Sequence, residues 1–368
     1  SMIALRQQLF FQEVARQGHQ VLVVSPGMWG AEKTEPKEEG SFRLVTCRHM
    51  GDDIYEFHLL GAKEAILSFK PDWLYVQQEA ASSLARLGLD IAYHAHCKKA
   101  IFIWENLRKP SRQDIEVLES YHLVVCGNDD AERLVKGGMG TPPGLQGEIP
   151  PGPRTVILPQ VGVDTDHFQA RNIPRDQRAI FVANEPPGTR RPEKGWDVAK
   201  RAWPTLGRLE FTPFRAIPWS YSQMQVVVCP SIDSSWWREQ AMPYVAVEAN
   251  SCLVPAVVSD AGSIPYWHTR FAGINPGVRV ITTAGLELRL GGEGPGVHKV
   301  VVASRTEALP EAAALKMAQA LQEALGELLG DEGKRVEMGK MGREWVVENL
   351  SNRVIAKRLI EAFDEVSG

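Results

Sequence analysis

The chain has 368 residues, 44% apolar and 23% charged, with 41 basic against 45 acidic side chains and a net charge of −4. That length suits two or three domains with sizeable cores. The charge balance excludes a broad basic field for nucleic acid and leaves only a local basic groove open. No run of about 18 apolar residues occurs, which excludes a membrane-spanning helix. The amphipathic start, Met2 to Leu9, lacks the apolar core of a secretory signal. Five scattered cysteines, Cys47, Cys97, Cys126, Cys229 and Cys252, have no CxxC spacing and read as reduced core thiols of a cytoplasmic α/β protein.

Helical and strand patterns alternate along the chain. Residues 3–17 predict a helix stopped by Gly18. Residues 20–26 predict a buried, β-branched strand, and a second strand is expected at 42–47. A helix near 61–69, a strand at 71–76, a helix over about 79–97, strands at 100–104 and 123–126, and a helix from Asp129 follow. Residues 137–153, with Gly137-Gly138, Pro142-Pro143-Gly144 and Pro150-Pro151-Gly152-Pro153, read as an exposed loop. After it come a strand at 155–158 and a hinge at 169–178.

The second half repeats the alternation. Strands are expected at 179–183, 225–229 and 256–259, and helices at 194–201, 243–252, 307–327, 331–349 and 351–366. Alternation of this kind predicts parallel sheets covered on both faces, most economically two α/β domains facing one another.

Three clusters lie beyond strand ends, where open α/β sheets bind ligands. Arg190-Arg191-Pro192-Glu193-Lys194-Gly195 follows strand 179–183 and offers two guanidiniums and an ammonium for a diphosphate. A solvated basic turn is the plainer alternative. Trp236 to Ala249 places Pro243 in the first turn of a helix whose free amides suit a phosphate. In that stretch Glu248 lies over one turn on, where a carboxylate can accept bonds from vicinal hydroxyls, and Glu239 and Gln240 stand just before the helix. A Glu248 facing solvent is the equal alternative. Ser259 to Pro265, taken alone, is only a turn. His94 and His96, two apart on a helix, point to different faces and make a poor metal pair.

The order of these clusters resembles the retaining, nucleotide-sugar-dependent glycosyltransferases of the GT-B fold, the family that includes sucrose synthase and many bacterial mannosyl- and glucosyltransferases. Residues 155–168 resemble its inter-domain signature, and Pro192-Glu193-Lys194-Gly195 its phosphate-binding turn. Cys229-Pro230-Ser231, Glu248-Ala249 and Val254 to Ser259 resemble its sugar-donor block. The resemblance implies two Rossmann-like domains: 1–168 for the acceptor, 169–350 for the nucleotide sugar, and a helix at 351–368 returning to the first. Lys194 and Arg191, or Arg190, would hold the diphosphate and stabilise the leaving charge. Glu248 would bind the ribose. Met242, Pro243, Tyr244 and Val245 would line phosphate and sugar, Ser231 would border them, and Ile217, within 214–218, would lie near the base. The family's Glu-x7-Glu pair is altered, since Gln240 stands where a Glu is usual and Glu239 is one position early. Glu105, with Asn106, would serve the acceptor side. The family's first strand and Gly-rich loop are not found before residue 3, and the stretch between Lys194 and Cys229 is too short for the usual strand–helix–strand set.

The resemblance implies transfer of a hexose from a nucleotide-diphosphate sugar to a hydroxyl acceptor with retention of configuration, without metal or cofactor. Two other readings stand beside it. One is a nucleotide-sugar-binding protein with weak turnover, favoured by Gln240 and the missing Gly-rich loop. The other is transfer to hydroxymethylated bases in DNA, which Lys98, Lys99, Arg108, Lys109 and Arg112 allow and the net charge opposes.

Overall fold

The computed structural model describes residues 2–26, 37–47, 60–77, 83–103, 112–138, 153–182, 194–209, 212–234, 242–283, 287–290, 297–302 and 305–368. The chain folds as two compact units, residues 1–162 with 352–368, and residues 163–351. Residues 163–168 therefore go with the second unit, although the sequence groups them with the first. The Val163 N–H bonds the Leu350 carbonyl at 2.7 Å, and the Phe168 carbonyl accepts from Arg343 at 3.1 Å.

In the first unit, α1 (Met2–Arg16) precedes β1 (Val21–Pro26), β2 (Lys37–Glu39), β3 (Phe42–Cys47), α2 (Leu60–Phe69), β4 (Trp73–Gln77) and α3 (Ser83–Ala95). Then come β5 (Lys98–Ile103), α4 (Arg112–Glu119), β6 (Leu123–Cys126), α5 (Asp129–Gly138) and β7 (Arg154–Ile157). Four parallel strands pair in the order β4-β5-β6-β7, and a second sheet has the order β1-β3-β2 with β2 antiparallel. Leu123 to Cys126 are wholly buried, as expected of a parallel strand covered on both faces. Helix α1 packs on both sheets. It lies along β1 and β3, while Gln7 donates to Gln77 Oε1 at 2.7 Å and Phe11 meets the Tyr75 ring edge-on.

Two elements here are absent from the sequence reading, and one expectation changes. Strand β2 has no apolar residue to announce it, and helix α4, which carries Ile115, Val117 and Leu118, spans little more than two turns. Helix α5 runs through Gly137 and Gly138, which end it rather than open the loop. The remainder of that loop, 139–152, lies outside the described residues. The C-terminal helix Asn352–Ser367 closes the unit. Phe363 stacks on Trp73 with ring centroids 4.5 Å apart, and Lys98 Nζ and Arg154 donate to the carbonyls of Val366 and Glu365, groups that a helix end leaves unsatisfied.

The second unit opens with β8 (Gln177–Val182), α6 (Trp196–Ala202), β9 (Gly207–Leu209), α7 (Ile217–Ser222), β10 (Met224–Cys229), β11 (Asp233–Ser234) and α8 (Tyr244–Ser251). It continues with β12 (Ala256–Ser259), β13 (Val278–Ile281), β14 (Glu287–Leu290), β15 (Val297–Val302), β16 (Arg305–Pro310), α9 (Glu311–Gly330) and α10 (Glu332–Asn349). Five parallel strands pair in the order β13-β12-β10-β8-β9. Helices α6 and α9 share a core with Phe181, Val226, Val228 and Val257, while α8 packs on β10 and β12 with α10 against it.

A small sheet ordered β11-β14-β16-β15 has no counterpart in the sequence reading. It also corrects the helix expected from 307. Residues 305–310 are extended, paired antiparallel with β15, and the helix starts only after Pro310. Proline lacks the N–H that a helix interior needs, so it marks the boundary.

Candidate functional site

Strand β8 lies between β9 and β10 in the second unit's sheet. The chain leaves β8 for β9 on one side, then crosses to β10 on the other. Connections that diverge in this way leave a crevice at the carboxyl ends of the two strands. Lys194 and Gly195 stand at the α6 end of the connection from β8, and Pro230 and Ser231 directly follow β10.

These two pieces touch. Gly195 has φ +77°, and a Cβ there would lie 1.9 Å from the Pro230 carbonyl oxygen. Only glycine accepts both the left-handed backbone and that approach. The half-buried Lys194 is thereby held beside the end of β10.

Side chains tie the neighbouring strand ends together beyond the ladder. Ser259 Oγ donates to the Ser231 carbonyl at 2.6 Å, Asp233 accepts the Gly262 N–H at 3.1 Å, and Asp260 accepts the Thr283 N–H at 2.6 Å. The turn from Ser259 to Pro265 is thus anchored from β10 and from the chain following β13.

Helix α8 begins one residue later than the sequence predicts. Pro243 is its N-cap, at φ −73° and ψ 79°. The Tyr244 N–H bonds the Met242 carbonyl at 2.8 Å across it, an inverse γ-turn, and the Ala246 N–H bonds the Pro243 carbonyl at 2.9 Å. Two amides expected to be free for a phosphate are therefore used within the chain. Met242 and Pro243 are buried, and Tyr244 and Val245 half-buried.

Glu248 faces inward and is 2% exposed, which removes the solvent-facing alternative. Tyr221 of α7, equally buried, presents its hydroxyl to Glu248 Oε2 at 3.4 Å. One helical turn on, burial and then the Glu248 charge push the Cys252 thiol up to about 12. Cys97, Cys126, Cys229 and Cys252 are all thiols, and burial raises those of Cys97 and Cys126 as well.

Ile217 is buried at the start of α7, just after the 3-10 turn Phe214–Ala216. The His167 ring stacks on Phe214 at 4.5 Å and 6°, and its Nε2 lies 3.1 Å from the Phe214 carbonyl. A carbonyl only accepts, so Nε2 carries the proton. Residues 163–168, noted in sequence for their motif, thus brace the element that carries Ile217.

Lys194 and Ser231 therefore share the end of β10, and Ile217 and Glu248 are joined through α7 and Tyr221. Glu105, Asn106, Arg108, Lys109, Arg190, Arg191, Trp236, Trp237, Glu239 and Gln240 lie outside the described residues. Tyr221, His167 and the Ser259–Ser231 tie escaped sequence reading, since each acts through a partner distant in the chain.

Lys98 and Lys99 open β5, and Lys98 serves the C-terminal helix. His96 lies past the end of α3 at φ 52°, not on the helix with His94. Among the described residues no group of three or more His, Cys, Asp or Glu is arranged to hold a metal, and no helix is long and apolar enough to cross a membrane.

No protein-family model matches the chain, and no curated protein sequence does. Solved structures do. Alr3699/HepE from Anabaena, crystallised with UDP, has a TM-score of 0.60 at 11% identity, over 97% of this chain and 96% of its own. Sucrose-phosphate synthase from Thermosynechococcus elongatus has a TM-score of 0.61 at 13% identity, over 99% and 92%. A glycosyltransferase from Rickettsia africae has a TM-score of 0.59 at 12% identity, over 98% and 94%. The two α/β units with their parallel sheets have the GT-B fold.

Proposed function

We propose that this protein is a retaining glycosyltransferase that moves a hexose from a nucleotide-diphosphate sugar to a hydroxyl acceptor. The observation that carries the reading is that the chain diverges to either side of β8 while Gly195, next to Lys194, packs against the Pro230 carbonyl just past β10. The inward Glu248 supports it, as an acceptor-only carboxylate of the kind that suits ribose hydroxyls. The structural likeness to HepE with bound UDP supports the class of sugar donor.

In this reading Lys194, with Arg191 or Arg190, neutralises the diphosphate and the charge that grows on it as the sugar departs. Glu248 holds the ribose, while Met242, Pro243, Tyr244, Val245 and Ser231 shape the pocket and Ile217 borders the base. Gln240, with Glu239 beside it, contacts the sugar, and Glu105 serves the acceptor. The leaving phosphate accepts the acceptor's proton on the same face, so the chemistry asks for no protein nucleophile, metal or cofactor.

The test is a thermal-shift survey of UDP-, GDP- and ADP-sugars with a nucleotide-release assay, on wild type and Glu248→Gln. A sugar donor at 100 times its Kd stabilises by about 2.7 kcal/mol, a shift of several degrees for a unit of this size. One donor class is expected to shift the wild type, to be released slowly as free nucleotide, and to lose its shift in Glu248→Gln. A shift without release even with hydroxyl acceptors present favours a binding protein. No shift with any donor overturns the reading.

A further inference from the structure

We infer that Tyr221 is a positioning residue for Glu248, fixing the plane of the carboxylate that receives the ribose hydroxyls; the inference rests on the nucleotide site proposed above. Glu248 sits in the second turn of α8 and Tyr221 in the last turn of α7, and both are almost fully buried. The terminal torsion of a glutamate is broad and roughly two-fold, so its own rotamer does not set the direction of its lone pairs. An outside contact must do so. The Tyr221 hydroxyl, 3.4 Å from Oε2, is such a contact. At 3.4 Å the contact is longer than a usual hydroxyl–carboxylate bond.

Tyr221 is itself held. Its ring meets Phe168 at 6.3 Å, the Ser222 hydroxyl donates to the Pro218 carbonyl at 2.7 Å, and the Arg171 N–H donates to Ser222 Oγ at 2.8 Å. The hydroxyl therefore projects from a fixed helix and not from a mobile side chain. A phenol that donates also favours the ionised carboxylate, the form that only accepts and suits two sugar hydroxyls. Because Ile217 opens the same short helix, Tyr221 ties the base side of the site to the ribose side.

The test compares UDP with 2′,3′-dideoxy-UDP as probes by calorimetry, with the GDP and ADP pairs run in parallel, on wild type, Tyr221→Phe, Glu248→Gln and the double variant. Tyr221→Phe keeps the ring and its packing, and its melting temperature reports whether the unit stays folded. The expected result is a loss of about three- to tenfold in affinity for the ribonucleotide, with the dideoxy probe changed less than about twofold. In the Glu248→Gln background the same substitution is expected to change nothing further.

An equal loss for both probes means a structural role and overturns the inference, as does no loss for either. If Glu248→Gln fails to separate ribo from dideoxy probes, the proposed role of Glu248 falls and takes the inference with it. Should Glu248→Gln separate them while Tyr221→Phe does not, only the inference fails. Absence of binding by all three nucleotides overturns both.

Discussion

At the scale of single residues, the second unit's site depends on contacts that admit little substitution. Gly195 combines φ +77° with the approach to the Pro230 carbonyl, and the atom it would strike belongs to backbone and cannot rotate away. For Gly195→Ala the left-handed conformation alone costs about 1–2 kcal/mol, before the strand end and the turn are forced apart. The variant should melt several degrees lower and lose the nucleotide shift, by fluorimetry with UDP; an unchanged shift would detach Lys194 from the site. Glu248 teaches the complementary lesson. Sequence places it one turn into a helix, yet its inward direction follows from how α8 seats on β10 and β12.

At the scale of elements, α8 is tied to the chain on both sides of β12 by a buried polar network. Asn250 donates to the carbonyls of Val254 and Gly277, and Asn275 donates to Asn250 Oδ1 at 3.0 Å and lies 3.3 Å from His268 Nδ1. The approach of α10 is equally tight, since a Cβ on Gly339 would lie 2.3 Å from the Leu253 carbonyl oxygen. Full burial lowers the pKa of His268 from 6.5 to about 3, so the folded protein keeps it neutral. The unfolded chain takes up that proton as pH falls through 6.5. The stability from keeping His268 neutral is therefore intact above that pH and lost progressively down to about 3. The loss is about 1.4 kcal/mol per pH unit, or roughly 2 kcal/mol by pH 5. Chemical denaturation of wild type and His268→Gln between pH 7.5 and 5 checks this. The wild type should lose more stability than the variant, and parallel slopes would remove His268 as the cause.

At the scale of the whole molecule, the chain passes from the first unit to the second after 162 and returns after 351. The return is secured by aromatic and cationic contacts with β4, β5 and β7. Replacing Phe363 by Ala removes the stack on Trp73 at the edge of the first unit. For a half-buried ring the cost should be about 1–3 kcal/mol. It should appear in urea as an earlier transition of that unit, with the second unit's transition unmoved.

What sequence alone determined lies within short spans of chain. The apolar run Val226 to Cys229, the strand signals at 21–26 and 123–126, and the glycine after Lys194 are local facts of side-chain pattern and backbone freedom, legible without a structure. The order of the Lys194, Ser231 and Glu248 motifs also carried the resemblance to the GT-B glycosyltransferases, and it is that resemblance which implied two Rossmann-like units. The tertiary structure alone decided which way those groups face. Glu248 against Tyr221, Gly195 against Pro230, and the sheet formed from Asp233–Ser234 and 287–310 join positions far apart in the chain. Strands of two to six residues carry little pattern of their own, and their pairing is chosen by what else is buried beside them.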